Sequence, residues 1–107
     1  MKIELLYFEG CPNHEPAMNI LREAFESSGL QGRIDEVQIR NQSEAEATGF
    51  VGSPTIRING SDIEPWARTA TVFGLSCRTY VHGSQHSGVP SRKLLRDAIR
   101  EAIREGR

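Results

Sequence analysis

The chain has 107 residues, of which 37% are hydrophobic and 25% are charged, a balance typical of a small folded domain. Its formal net charge of −1 provides no basic field that would attract phosphates, so nothing in the composition favours nucleic-acid binding. No apolar run approaches the roughly 20 residues of a membrane helix, and residues 1–10 lack the pattern of a signal sequence. We therefore expect one cytoplasmic domain over residues 1–107, with neither nucleic acid nor membrane as a partner.

The chain has two cysteines, Cys11 and Cys77. Thiols in the cytoplasm are normally kept reduced, so a pair of this kind is more typical of chemistry than of a structural disulfide.

The N-terminal third predicts strand, helix and strand. Residues 2–8 form a run of large apolar residues that indicates a mostly buried strand. Residues 13–28 change to helical spacing, with one apolar face, and Gly29 is placed to end the helix. Residues 33–40 predict a second strand.

A short helix is expected next, over residues 43–49. Ser43 is the expected N-cap, Glu46 stands at the capping-box position, and Gly49 is the expected end of the helix.

The middle of the chain predicts a hairpin. Residues 54–58 read as a third strand, Asn59-Gly60 is a strong turn signal, and residues 61–63 would return as a fourth strand. The pattern is weaker over residues 64–88, an insertion in which residues 77–81 could form a strand.

The last element is an amphipathic helix with Ser91 as its expected N-cap and Gly106 as its expected end. A strand–helix–strand unit crosses over right-handed to pair in parallel, and the hairpin adds an antiparallel edge. The sequence therefore predicts an α/β fold: a mixed β-sheet of about four strands flanked by helices, with an insertion before the C-terminal helix.

Cys11 falls at the junction between the first strand and the first helix. Unpaired backbone N–H groups and the helix dipole favour the thiolate there, and the thiolate is the nucleophile. His14 follows three residues later on roughly the same face, where an imidazolium would favour the thiolate further and a neutral ring could shuttle a proton. The plainer alternatives are a buried apolar cysteine and a solvated histidine.

A second motif is the sequence GSPT, Gly52 to Thr55, directly before the third strand. Proline is tolerated at the first position of a strand, and this one is a candidate for a cis peptide bond.

Together these motifs resemble the thioredoxin-like superfamily. The resemblance covers residues 2–63 and 89–106, and rests on the stretch GCPNHEP, the turn GSPT and the Asn-Gly hairpin in that order. The sequence is also similar to small stand-alone bacterial proteins of this superfamily, some labelled thioredoxin-like or glutaredoxin-like and others alkylmercury-lyase-like.

The resemblance implies roles for particular residues. Cys11 would be the attacking thiolate, and His14 stands where the resolving cysteine of a C-x-x-C motif would be. Pro54 would be the cis-proline that faces the site, and Ser53 would offer its backbone groups to a bound partner. The substrate-binding residues implied are Pro12, Ser53, Pro54 and Thr55.

The implied activity is thiol–disulfide exchange with a small thiol or a protein disulfide, in which glutathione is the candidate co-substrate and no other cofactor is expected. Cys77 is the candidate resolving thiol. Its alternative is structural, because a strand over residues 77–81 would put Cys77, Thr79 and Val81 on one face that could pack on the core.

Three further possibilities remain open. Cys11 and Cys77 could bind a soft metal ion or an organomercurial compound without turnover. Cys77, His82 and His86 could form a zinc site, since the histidines have a suitable spacing. The protein could also be an adaptor that kept the fold and lost the chemistry.

Overall fold

The computed structural model describes residues 1–106 and contains a four-stranded sheet. The strands are β1 (Ile3–Tyr7), β2 (Ile34–Gln38), β3 (Thr55–Ile58) and β4 (Ser61–Asp62), in the spatial order β2-β1-β3-β4. β1 is parallel to β2 and antiparallel to β3, and β3 is antiparallel to β4. The expected mixed α/β sheet of four strands is confirmed, in an arrangement compatible with the thioredoxin-like fold.

Helices cover both faces of the sheet, because β1 sends apolar side chains to both sides. Ile3 and Leu5 join the larger core, which the helices α1 (His14–Ser27) and α4 (Arg92–Arg104) cover. Leu6 points to the other face and packs against the helix α2 (Gln42–Thr48). The residues of this smaller core are Leu6, Ile39, Ala45 and Phe50.

The Asn-Gly hairpin forms as the sequence predicts. Asn59 has φ 53° and Gly60 has φ 87°, and a two-residue turn with positive φ at both central positions matches the twist of the strands that it joins. The turn fixes the register of β4 against β3, which pairs Arg57 with Asp62.

The predicted start of α2 was wrong by one residue at the helix and two at the cap. The N-cap is Asn41, whose side chain accepts a hydrogen bond from the Glu44 N–H at 2.8 Å. The Glu44 carboxylate in turn accepts from the N–H of Arg40, the residue before the N-cap, at 2.7 Å, so Asn41 and Glu44 rather than Ser43 and Glu46 stabilise this end of the helix. The other two predicted signals are confirmed: Gly49 ends α2 in the left-handed conformation with φ 73°, and Ser91 caps α4.

The insertion contains more regular structure than its sequence indicates. It holds the short helix α3 (Pro65–Arg68) and a separate hairpin of β5 (Tyr80–His82) and β6 (Gln85–Ser87). Strand structure therefore begins at Tyr80 rather than at residue 77.

The burial of this segment decides against the structural alternative for Cys77. Cys77, Thr79 and Val81 are exposed, while Arg78 and Tyr80 between them are buried. The interpretation of Cys77 as a core residue was therefore wrong, because the alternation places the intervening arginine and tyrosine inside.

No helix within residues 1–106 is long and apolar enough to cross a bilayer.

The capping assignment for α2 can be tested by a matched pair of substitutions. We expect Asn41→Ala to lower the free energy of unfolding by about 1 kcal/mol, because the Glu44 N–H loses its acceptor. Ser43→Ala, in the same first turn, should change the free energy of unfolding by no more than about 0.5 kcal/mol. Urea denaturation followed by circular dichroism measures both, and a larger loss in Ser43→Ala would contradict the assignment.

Candidate functional site

Cys11 lies in the tight turn that joins β1 to α1. Its backbone N–H donates to the Phe8 carbonyl at 3.2 Å, and its carbonyl accepts from the His14 N–H at 3.3 Å. Gly10, with φ 87°, allows the chain to reverse at this point. The residue is 9% exposed, so the thiol sits at the rim of the core just before the first turn of α1.

His14 is held against the sheet. Its ring stacks on Tyr7 with centroids 3.7 Å apart, and its Nε2 lies 3.0 Å from Glu36 Oε2 on β2. Within residues 1–106 no hydrogen bond joins this ring to the Cys11 thiol. The structure thus gives His14 a contact with β2, and the influence on Cys11 that the sequence indicates stays a prediction.

The Asn13 side chain fills the space between the Cys11 turn and the loop before α4. A Cβ atom at Gly88 would overlap it, so the absence of a side chain at Gly88 is what lets the two segments approach. The start of α1 is therefore buttressed by the chain that leads into α4.

The peptide bond between Ser53 and Pro54 is cis, as the sequence predicts. The register pairs Leu6 of β1 with Thr55, the first residue of β3. Because β1 and β3 are antiparallel, the residues before Thr55 lie at the end of β1 from which the chain turns to Cys11. Cys11 and Pro54 therefore belong to the same end of the sheet.

Residues 76–78, here called the strap, are bonded to the cis-proline turn. The Ser53 N–H donates to the Ser76 carbonyl at 2.8 Å, and the Arg78 N–H donates to the Ser53 carbonyl at 3.0 Å. The result is a parallel bridge between Ser53 and Cys77. The expectation that Ser53 offers its backbone groups to a partner is thereby corrected, because both groups are already bonded within the chain.

Gly52 makes the close approach of the strap possible. Its φ is 146°, and a Cβ atom there would lie 3.0 Å from Arg78 Cβ and 3.3 Å from the Ser76 carbonyl oxygen. A side chain at Gly52 would press directly on the strap.

Arg78 anchors the strap in the protein. Its side chain makes a two-pronged ion pair with Asp62, at 2.7 and 2.8 Å, and a further bond to Glu64 at 2.9 Å. The residue is only 3% exposed. A paired arrangement of this kind is the geometry in which a buried guanidinium is best satisfied.

Two aromatic rings enclose the Arg78 guanidinium. It lies 4.5 Å from the centroid of Tyr80 and 5.0 Å from that of Trp66, and cation–π attraction adds to the ion pair. The Trp66 ring, 51% exposed, covers the cluster from the solvent side. The Tyr80 hydroxyl donates to the Pro54 carbonyl at 2.7 Å, which ties the cluster to the cis-proline turn.

The cluster also fixes two protonation states. Burial alone would lower the pKa of Arg78, but the hydrogen bond to Asp62 and the neighbouring charges raise it above its usual value. Burial raises the pKa of the Tyr80 phenol well above its usual range. Arg78 is therefore charged and Tyr80 is neutral at every pH near neutrality.

The remaining predicted site residues differ in accessibility. Thr55 is buried, and its hydroxyl donates to the Gly52 carbonyl at 2.5 Å and accepts from Arg78 at 3.2 Å, so it supports the turn rather than facing solvent. The Ser53 hydroxyl is buried with no hydrogen-bond partner among residues 1–106. Pro12 is exposed beside Cys11.

Both cysteines are free thiols. Cys77 is exposed and, since side chains alternate along an extended segment, points away from the buried Arg78. The bridge to Ser53 thus brings the second thiol of the chain to the cis-proline turn, at the same end of the sheet as Cys11.

The two histidines of the insertion lie in the β5–β6 hairpin, where the His82 ring contacts the Val89 carbonyl at 3.0 Å. Among residues 1–106 no three His, Cys, Asp or Glu side chains come together as a metal site would require. The zinc site considered for Cys77, His82 and His86 is therefore not assembled.

An open groove of about 520 Å³ lies beside the Cys11 turn. Phe8 and Glu9 of that turn form one wall, and Leu75, next to the strap, forms another. The groove therefore lies between the two segments that carry the cysteines, and the residues that line it are Phe8, Glu9, Gln38, Ile39, Arg40 and Leu75.

A comparison with protein families matches residues 13–99 to the model described as a domain of unknown function (DUF2703). The chain belongs to this family. The match includes the GSPT turn, Arg78 and Cys77, and begins two residues after Cys11. Neither the curated proteins nor the solved structures contain a match to the chain.

Sequence reasoning missed Arg78, Asp62 and Tyr80, which hold the strap in place. One usable signal was present, since an arginine in an otherwise strand-like stretch with alternating apolar residues needs a buried partner if it faces inward. Which carboxylate that partner is depends on pairing between residues far apart in the sequence.

The anchoring role of Arg78 can be tested by unfolding. We expect Arg78→Ala to lower the free energy of unfolding by about 3–5 kcal/mol, because Asp62 is left buried without its partner. The control is Arg92→Ala, which breaks the exposed pair with Glu23 and should cost no more than about 1 kcal/mol. Equal effects of the two substitutions in urea denaturation would contradict this account.

Proposed function

We propose that this protein is a cytoplasmic thiol–disulfide oxidoreductase of the thioredoxin-like type, with Cys11 as the attacking thiolate. The observation that supports the proposal is the bridge between Ser53 and Cys77, which puts a second, exposed cysteine at the cis-proline turn, at the end of the sheet where Cys11 lies. Because His14 stands where a C-x-x-C motif would have its second cysteine, Cys77 is the candidate for the second nucleophile of a two-step exchange.

The reaction would proceed through a mixed disulfide. The Cys11 thiolate attacks one sulfur of a disulfide RSSR, the S–S bond breaks, and one thiolate RS⁻ leaves. The Cys77 thiolate then attacks the Cys11 sulfur and releases the second RS⁻. The protein is oxidised to a Cys11–Cys77 disulfide and the substrate is reduced to two thiols, while a small thiol such as glutathione would return the protein to its reduced form.

The position of Cys11 supports the first step. It stands before the first turn of a 14-residue helix, and the N-terminus is the end of a helix that attracts anions. Cys11 is 9% exposed, and Phe8 and Glu9 of the same turn line the open groove from which a small reagent would approach. His14 is bonded to Glu36 on β2, and its influence on Cys11 is a part of the proposal that rests on the sequence.

The same two thiols could instead bind a soft ion such as Hg(II), for which two thiolates are suitable ligands. The exposure of Cys77 favours this second function as well, since the ion could enter from solvent. The two functions differ in whether the cysteines undergo a redox cycle.

The proposal can be tested by mild oxidation of the protein with glutathione disulfide at neutral pH. The state of each cysteine is then mapped by mass spectrometry. We expect the reduced protein to form a Cys11–Cys77 disulfide and to release two glutathione thiols. In Cys77→Ser the reaction should stop at a Cys11–glutathione adduct, because the second step has lost its nucleophile. Cys11→Ser should form neither the Cys11–glutathione adduct nor the Cys11–Cys77 disulfide.

Other outcomes separate the alternatives. A stable glutathione adduct on Cys11 of the unaltered protein would give a one-cysteine mechanism in which Cys77 has no part. Binding of one Hg(II) ion that requires both cysteines, without reaction with disulfides, would favour soft-metal binding. If neither thiol reacts with the disulfide or binds the ion, the protein is an adaptor and the proposal fails.

A further inference from the structure

We propose that the strap makes the thiol site selective for low-molecular-weight disulfides and excludes extended peptide chains, which distinguishes it from a site that reduces protein disulfides. This inference rests on the proposed function of Cys11. It concerns which of the two substrate classes, small thiol compounds or protein disulfides, the site accepts.

The first argument is the hydrogen bonding of Ser53. A peptide that adds to an exposed backbone edge needs a free N–H and a free carbonyl to pair with. At the cis-proline turn both groups of Ser53 are bonded to the strap, at 2.8 Å to Ser76 and 3.0 Å to Arg78. The strap thus already occupies the position beside Ser53 that a bound peptide strand would have to take.

The second argument is that the strap is strongly anchored in the protein. Arg78 is 3% exposed, bonded to two carboxylates through its two terminal nitrogens and enclosed by two rings, so a peptide that displaced the strap would have to break a buried ion pair. The Tyr80 hydroxyl adds a bond to the Pro54 carbonyl. These contacts tie the strap to the same turn that it covers.

The third argument is distance. In the parallel bridge the groups of Ser76 and Arg78 face Ser53, so the N–H and carbonyl of Cys77 face outward. A peptide paired with this outer edge would lie one strand spacing, about 4.8 Å, farther from Ser53 than the strap does. Its disulfide would therefore be held away from Cys11.

A small disulfide needs no backbone pairing. It can enter the open groove of about 520 Å³, whose walls include Phe8 and Glu9 of the Cys11 turn and Leu75, the residue before the strap. The first exchange step is then the one given above: the Cys11 thiolate displaces one thiolate from the small disulfide and forms a mixed disulfide with the other half.

The experiment compares two disulfides on Cys77→Ser, in which reaction stops after the first step. One is glutathione disulfide, and the other is the symmetrical disulfide of an extended, end-capped peptide of about seven residues with a central cysteine. The rate constant for forming the Cys11 adduct is measured by mass spectrometry, and each rate is divided by that of free N-acetylcysteine with the same disulfide to remove intrinsic reactivity.

We expect the normalised rate for glutathione disulfide to exceed that for the peptide disulfide by roughly a hundredfold, since the peptide must displace the anchored strap. Equal normalised rates would overturn the selectivity and leave Cys11 as a working thiol. If Cys11 reacts with neither disulfide, the proposed function and the selectivity fail together.

A matched pair of glycine variants, made in the Cys77→Ser background, tests whether the strap causes the selectivity. Gly52→Ala would press a methyl group against Arg78 and the Ser76 carbonyl, whereas Gly32→Ala has a similarly unfavourable φ of 129° but no atom within 4 Å. We expect Gly52→Ala to lose most of the preference for glutathione disulfide and Gly32→Ala to retain it. Retention in a folded Gly52→Ala would overturn the role of the strap, and the first comparison stands whether or not this variant folds.

Discussion

The ion pair between Arg78 and Asp62 is the interaction on which the arrangement of the thiol site depends. It joins the insertion to the returning strand of the hairpin, and its two bonds of 2.7 and 2.8 Å fix Arg78 in place. Because Arg78 is fixed, its backbone N–H reaches the Ser53 carbonyl, and Cys77 is held opposite the cis-proline turn. Burial of the charged Arg78 carries a desolvation cost, and the buried residue sets the position of the neighbouring Cys77.

The two cysteines are thus positioned by different means. Cys11 is positioned by local structure, because it lies in the turn between β1 and α1 that any strand-to-helix junction needs. Cys77 is positioned by tertiary structure, through a bridge and an anchor that involve residues more than ten positions away. If the chain carries out thiol exchange, its second thiol comes from an insertion and not from the first helical turn, where His14 has become a partner of Glu36.

Much of the fold could be predicted from the sequence, because it follows from local signals. The apolar run of β1, the stripe of α4 and the Asn-Gly turn each depend on a few neighbouring residues. The N-cap of α2 was misassigned because Asn41 and Ser43 are both good capping residues two positions apart, and only the tertiary path of the chain selects Asn41. That Pro54 faces the Cys11 site was implied by the family resemblance, and the register of β1 with β3 puts both residues at one end of the sheet.

The insertion could not be predicted in the same way. Its inward residues are Arg78 and Tyr80, and an arginine does not read as a core residue until Asp62 and Glu64 are known to meet it. The sequence therefore left open whether Cys77 packs on the core or faces solvent, and the structure shows it exposed. The bonding of Ser53 by its own chain was likewise invisible, because it depends on a contact between two loops.

Hydrogen exchange of the Arg78 and Ser53 backbone amides tests the central claim most directly. Both N–H groups are donors in the bridge between the strap and the cis-proline turn, so they should exchange only when the protein unfolds globally. The control is the amide of Val72, a residue of the same insertion that is 85% exposed, which should exchange quickly. Fast exchange at Arg78 and Ser53, at the rate of Val72, would show that the strap is not anchored and would contradict the account.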